Sequence, residues 1–567
     1  MTCRNSYLLF PYIFGFLIVF NLSPCQASEP NIALHIQIDN LVSKRQSALK
    51  ISPAKISSDE EFVRRVYLDL NGVIPSAKQA RLFLDNKAPD KRQKLIDELF
   101  ANPEYALSMA RVFDVMLTER RIAGGGNLYD VPPTVWKSYL ASSFANNKPW
   151  DQMVREILGT DGSEKNILGA SKFYNVRDVS PHLVTRDIGR LFLGCDLQCA
   201  QCHDDPHVKD YRQADYYGIY AFVQRLKIHP LSPKGSLVAE VASGKTTFTS
   251  VFTAKSSETF PLLPGRNMIP DPIIEKDKEY KIKPGPKEAG IPTYSRRFKL
   301  AESLPQPATK GFSRNIANRL WALMMEKGIV HPLDLHHDGN PPSYPELLDT
   351  LEKWMVDHNY DLKALLREIA LSKTYQRSSV TFENQKEIPA GTYCVAPIRG
   401  LTAEQLRWSV LQATGRIEQY YLKIESQKKS PNESSNLPYW NTKLIQNEVL
   451  EKQTASFITA FAGLPGQPEM GFNPIVDQAL YLRNNSKFLQ LLKDEPGLLL
   501  SRLSEIQDVN LLSEELYLSL LSRRPNKDEI EEVIKMLANA KAPALRLETL
   551  QALMWGLLLS AEFRLNH

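Results

Sequence analysis

A mainly α-helical protein is expected, with two helical domains separated by a small β-rich, proline-rich insert. Three observations carry that expectation. Apolar residues recur at intervals of three and four behind capping residues through 40–230 and again through 305–567. Between them, 231–304 abandons the helical period for short runs divided by Gly, Pro and Lys. The chain has 567 residues, 43 % of them hydrophobic, which is longer than one core supports and rich enough to build more than one.

The N-terminus reads as an address. Arg4 gives a positive start, and Leu8 to Leu22 form an apolar stretch too short and broken to span a bilayer comfortably. Cys25-Gln26-Ala27 then places a small residue at a cleavage position. Residues 1–27 are therefore expected to be a signal peptide, leaving an exported protein in the periplasm, at the cell surface or secreted. No membrane span remains after cleavage; an uncleaved anchor is the competing reading.

The elements follow in order. Ile32 to Leu49 suit a short helix or arm. Ser58-Asp59-Glu60-Glu61 is a capping box opening a helix whose Phe62, Val66, Tyr67 and Leu70 share one face, with Gly72 closing it. Pro75-Ser76 starts a second helix, Asp90 caps a third with Leu95, Ile96 and Leu99 inward, and Asn102-Pro103 starts a fourth. Ala123 to Gly126 is a loop, lacking the strand and helix that a phosphate cradle needs. Helices resume at Val135–Ala145 and Asp151–Leu158. Ser180-Pro181 then caps one in which Val184, Ile188, Leu191 and Phe192 form a stripe. Asp215 to Gln224 is an aromatic helix with Tyr216, Tyr217, Tyr220 and Phe222. In the insert, Leu237–Glu240, Thr246–Thr253 and Tyr280–Ile282 read as strands. The second domain begins at Phe312–Trp321 and continues with helices after Pro345 and Asp361. It includes an exposed Lys/Ser/Asn-rich loop at 422–445 and closes with helices at Leu511–Leu521, Glu529–Leu537 and Leu547–Leu558.

The chemistry concentrates in Cys199-Ala200-Gln201-Cys202-His203, the spacing of a c-type haem attachment site. Each thiol forms a thioether to one vinyl group, and the adjacent histidine is the proximal ligand to iron. A zinc knuckle would need four ligands, and no second Cys-x-x-Cys or His pair lies at the usual distance. A disulfide, unmetallated thiols or another metal remain the alternatives. Tyr217 and Phe222 are candidates to shield a porphyrin. Met268, in a Gly265-Arg266-Asn267-Met268-Ile269-Pro270 loop, and His182 and His207 are distal-ligand candidates, beside a five-coordinate iron. Once the leader is removed, only Cys195, Cys199, Cys202 and Cys394 remain, too few for a disulfide scaffold.

Other signals are negative or ambiguous. A net charge of +5, with both signs mixed, argues against nucleic acid as a partner. No Gly-x-Ser-x-Gly elbow, HExxH helix or P-loop occurs, so no catalytic set is read. Arg314, Asn315, Asn318 and Arg319 share a helical face, either as a polar site for sugar hydroxyls or carboxylates or as a helix hydrogen-bonded to loops. His336-His337-Asp338 suggests a metal only weakly, because adjacent histidines diverge on most backbones.

Phe62-Val63-Arg64-Arg65-Val66-Tyr67-Leu68-Asp69-Leu70-Asn71-Gly72, Asn102-Pro103-Glu104-Tyr105, the segment Leu191 to Asp204 and Asp215-Tyr216-Tyr217-Gly218 together resemble a known domain of uncharacterised function. It is the planctomycete cytochrome-c-associated (PSCyt-type) domain of secreted bacterial proteins. Phe312 to Trp321, Leu401 to Arg407, Ala479 to Asn485 and Ser560 to His567 resemble its usual partner, the PSD-type domain. Where that family places a second histidine two positions after the first, this chain has Asp205, with His207 two further on.

The expected function is an exported protein with one haem c on Cys199, Cys202 and His203, acting in electron transfer or redox chemistry with a cytochrome or other redox partner. The alternative is a secreted binding or scaffold protein associated with polysaccharide-degrading enzymes, its cysteines only structural. That second idea rests on the company such families keep.

Overall fold

The computed structural model describes residues 32–122, 131–231, 235–252, 254–380, 391–427, 439–468 and 475–567. Expectations for the signal peptide and for the Ala123–Gly126 loop fall outside these residues. The described chain is mainly α-helical, and its sheets are four two-stranded antiparallel pairs. Among the described residues, no helix is long and apolar enough to cross a membrane.

Local chemistry sets the helix ends. Ser58 Oγ accepts from the Glu61 amide at 3.2 Å, and Ser76 with Gln79 forms a reciprocal capping box. Asn102 caps the helix that begins at Pro103. Gly72 ends the Asp59–Asn71 helix at φ +69°, with Ser108 Oγ only 2.7 Å from where a Cβ would stand, so both conformation and space require glycine.

Packing divides the chain differently from the sequence. One apolar core joins residues from Leu34 through Tyr375, so the helices Phe312–Met325, Pro345–Asp357 and Leu362–Leu371 share it with the first 230 residues. A second core gathers Leu401 to Phe563 together with Leu68 and Ile74. The expected boundary at 304/305 is thus not a boundary of packing: the Leu34–Ala48 helix lies against Leu362–Leu371, and Phe312–Met325 against Gly189–Leu193. The Asp59–Asn71 helix serves both cores, with Phe62, Val63, Val66 and Leu70 in one and Leu68 in the other.

The insert consists of hairpin pairs: Leu226–Pro230 with Ser236–Glu240, Thr246–Thr249 with Ser256–Thr259, and Tyr280–Ile282 with Ile291–Pro292. Its buried Val238 and Leu263 belong to the first core, so it docks rather than folds around an interior of its own. The strand expected at Thr246–Thr253 stops at Thr249, and the chain turns at Val251 and Phe252. The expected loop at 422–445 is also corrected. Helix Arg416–Gln427 runs into its first part and helix Tyr439–Gln453 through its last, while 428–438 lies outside the described residues. Lys443 within it makes a contact, its ammonium 3.9 Å from the ring centroid of Tyr421, whose hydroxyl donates to Asn447 Oδ1 at 2.6 Å just beyond the stretch.

Candidate functional site

Helix Pro181–Ile188 widens into one π turn, Gly189–Leu193, and ends at Gly194 with φ +73°. Glycine is needed there, since a Cβ would stand 2.8 Å from Cδ2 of His336 and 3.0 Å from Oδ1 of Asn315. The following residues are stitched to a distant loop: Asp196 N donates to Asp334 O at 2.8 Å, and His336 N donates to Gly194 O at 2.9 Å.

The cysteine motif then forms a single 3₁₀ turn, Cys199–Gln201, with Cys202 N bonded to Cys199 O at 3.2 Å. Buried Gln213 pins it: its side-chain amide donates to Cys202 O at 3.0 Å and Thr249 O at 3.3 Å, and its backbone amide donates to Asp204 Oδ1 at 2.8 Å. Val251 N adds a bond to Cys202 O at 3.3 Å, tying the turn to the hairpin. Nothing in the sequence pattern singled out Gln213; it bonds the carbonyls on which the turn depends.

Cys199 and Cys202 are exposed and free, Cys195 is half-buried and Cys394 buried. Burial pushes the Cys195 thiol up to about 12, with the Tyr211 hydroxyl pulling the other way. In protein made without haem-attachment machinery, iodoacetamide at neutral pH is expected to label exposed Cys199 and Cys202, while Cys195, its thiolate disfavoured, and buried Cys394 stay unmodified until the protein unfolds. Peptide mass spectrometry reads this directly, and Cys195 labelling as fast as Cys199 would contradict it.

His203 Nδ1 lies 2.8 Å from the Asp204 carbonyl, which only accepts; the neutral ring therefore carries its proton on Nδ1 and its lone pair on Nε2. Nε2 has no hydrogen-bond partner among the described residues, and the ring packs against exposed Phe252 with centroids 4.6 Å apart. Half-buried Tyr217 stands near Cys202 and stacks on Phe248 at 4.7 Å; beside it, with ring centroids 5.5 Å apart, Tyr220 stacks on His182 at 4.7 Å. Phe222 is not part of this wall, since its position on the helix turns it fully into the core.

The distal candidates sit in separate local settings. His182 Nδ1 is bonded to Tyr216 Oη at 2.7 Å, and burial lowers its pKa. His207 is exposed, and its backbone amide donates to Asp205 Oδ1 at 2.8 Å. Asp205 thus forms the turn at the position where the resembling family has histidine. Met268 is exposed on its loop. Among the described residues no hydrogen bond or ring contact joins any of the three to His203. Nor is there a group of three or more His, Cys, Asp or Glu placed to hold a metal ion. The turn presents two free thiols and an imidazole whose Nε2 is open, the donor types a covalently held haem would need.

Comparison with protein families settles the kinship. PSCyt2, described as a protein of unknown function (DUF1549), matches residues 37–227, and PSD1, a protein of unknown function (DUF1553), matches residues 296–537. The chain carries a PSCyt2 domain followed by a PSD1 domain. No curated protein and no solved structure matches it.

Buried charges join the two domains. Arg177 pairs with Asp187 at 2.6 Å, and Arg190 pairs with Glu119 and, at 3.1 Å, with Asp334 of the PSD1 region. Burial pushes the Asp187 carboxyl up, but Arg177, Arg121 and Arg190 outweigh it and hold it below the usual range. The polar face of the PSD1 helix Phe312–Met325 is mostly scaffold. Asn315 Nδ2 donates to Leu191 O at 2.7 Å, Asn318 Nδ2 to Val330 O at 2.8 Å and Arg319 Nη2 to Arg190 O at 2.8 Å. Arg314 instead pairs with Asp349 at 2.6 Å and Glu352 at 2.8 Å, on the rim of a cleft of ≈ 750 Å³. PSCyt2 residues such as Cys195 and Tyr211 form one wall of that cleft, and PSD1 residues such as Lys310, His336 and His337 form the other. Cys199, Cys202 and His203 do not line it.

Proposed function

We propose that this is an exported protein that carries one c-type haem on Cys199 and Cys202, with His203 as the axial ligand, and works in electron transfer or redox chemistry with a cytochrome or another redox partner. The observation that carries the reading is the pair of free, exposed thiols on one turn, followed by an imidazole whose Nδ1 is held by the Asp204 carbonyl. Each thiol adds across a vinyl group, sulfur bonding one carbon and the proton going to the other, so attachment involves no net redox change. The Nδ1–H bond to Asp204 fixes the tautomer and ring orientation and makes Nε2 a stronger donor. The bound group would supply a one-electron couple. Tyr217, stacked on Phe248, and exposed Phe252 against His203 supply apolar faces beside the turn. The scaffold reading, in which the cysteines are merely structural, would leave Cys199 and Cys202 as free thiols, since no disulfide joins them.

The test is expression through the export route of a host that has the haem-attachment machinery. A Soret band and a haem stain that survive a denaturing gel are expected, with both lost in Cys199→Ala and Cys202→Ala. The mature N-terminus is expected at Ser28. A colourless protein from that host sinks the proposal.

A further inference from the structure

The cleft between the PSCyt2 and PSD1 domains has polar lining residues that neither haem attachment nor the cores account for. Its size falls in the range of small-molecule sites, and domain interfaces are where such sites concentrate.

Charge narrows the ligand. Arg314 is neutralised by Asp349 and Glu352. Arg212 and Lys310, both exposed, are then set against Asp210, Asp215 and Asp338. Three cations thus face five carboxylates, and that mild acidic excess repels a phosphate or polysulfate. With no three-ligand group among the described residues, a metal ion is not favoured either.

Hydrogen bonding narrows it further. His337 Nδ1 is buried without a partner among the described residues, while the ring packs edge-on to Tyr211 with centroids 5.5 Å apart. Buried polar atoms seldom stay unpaired, so a ligand or water group belongs there. Asn340 uses its amide nitrogen on Leu335 O at 2.9 Å, which leaves Oδ1 as an acceptor. Asp210 accepts from Asp338 N at 2.9 Å and keeps further acceptor capacity. His336 contributes a neutral ring, its Nε2 3.3 Å from Asn318 Nδ2. Acceptors and imidazole nitrogens thus mingle around a floor that includes Leu193, Leu197 and Pro341. Hydroxyl groups both donate and accept, and the carbon-bound hydrogens of a sugar ring suit such apolar patches.

We propose that this cleft binds a neutral, hydroxyl-rich ligand, a short saccharide. The inference does not rest on the haem reading, because it uses different side chains.

The experiment presents the full chain, made without haem-attachment machinery, to an array of neutral di- and trisaccharides of varied linkage. Sulfated saccharides and inorganic phosphate serve as charged probes, and hits are followed by calorimetry. At least one neutral saccharide is expected to bind, with affinity falling at least tenfold in His337→Ala. Because that side chain is partly packed, Lys310→Ala and Asp338→Ala, both exposed positions, provide variants that keep the fold, and a loss of affinity is expected in at least one. Binding only of charged probes, no binding by any neutral saccharide, or neutral binding unchanged in all three variants would overturn the proposal.

Discussion

Asp69→Ala is expected to destabilise the protein by about 3–5 kcal/mol, the cost of leaving buried groups without their charged partner. The Asp69 side chain is 0 % exposed and collects three distant segments. Oδ2 accepts from the Tyr375 hydroxyl at 2.8 Å, while Oδ1 accepts from Asn566 Nδ2 at 2.6 Å and pairs with the Arg399 guanidinium. Tyr375 belongs to the first core, and Arg399 and Asn566 belong to the two short strands that pair at the edge of the second. Alanine would orphan all three at once. Two milder variants show that the bonds, and not the cavity, matter: Tyr375→Phe removes one neutral donor and is expected to cost about 1 kcal/mol. Asp69→Asn keeps the shape, loses the charge and should fall between. Denaturant midpoints followed by fluorescence measure all three, and an Asp69→Ala shift equivalent to less than about 1 kcal/mol would show that the three segments hold together without it.

Asp69 also shows where sequence reading stops. The Asp59–Asn71 helix was legible from its capping box, its closing glycine and the apolar face of Phe62, Val66 and Leu70. Periodicity implies that Arg64, Arg65 and Asp69 face water, yet all three are buried. Arg65 has one local partner, Glu61, but the partners that bury these side chains lie hundreds of residues away: Arg64 donates to Phe563 O at 2.7 Å, and Arg65 to Arg377 O at 2.8 Å. A local pattern contains no information about such partners. The same limit applies to the sites. The Cys-His turn was legible because its chemistry sits within five consecutive residues. The cleft was not, because its walls come from around Cys195–Asp215 and Lys310–Glu352 and meet only through the fold. Adjacent His336 and His337 looked unable to serve one site as ligands to a common metal; as lining residues, both face the same cleft. The insert's short runs gave one strand of each hairpin but not its partner, and whether the insert has an interior depends on where Val238 and Leu263 dock, which is tertiary information.

Acidification through the histidine range is expected to weaken the fold, and His336 should account for the largest share among the histidines; the buried carboxyls of Asp114, Asp215 and Glu240, pushed up by burial, act with the opposite sign. Burial, with Arg319 and Arg314 adding to it and Asp334 opposing, lowers this imidazole from 6.5 to about 4. Above pH 6.5 the ring is neutral whether the chain is folded or not, so its contribution is fully present. As pH falls from 6.5 toward 4, the unfolded ring takes up a proton that the folded ring refuses, and stability drops by on the order of 3 kcal/mol. His182, His331 and His567 are also lowered by burial and act with the same sign. Asp187 and Glu451, held low by neighbouring cations against the opposing effect of burial, lose their stabilisation only at more acidic pH, as it falls through their depressed folded values. The comparison that isolates His336 is the slope of stability against pH between 6.5 and 4 for the native protein and for His336→Gln. The variant loses packing against Gly194 at every pH, so its curve should lie lower but run much flatter. Parallel curves would assign the acid sensitivity to the other three histidines and remove His336 as the group that keeps the cleft wall neutral.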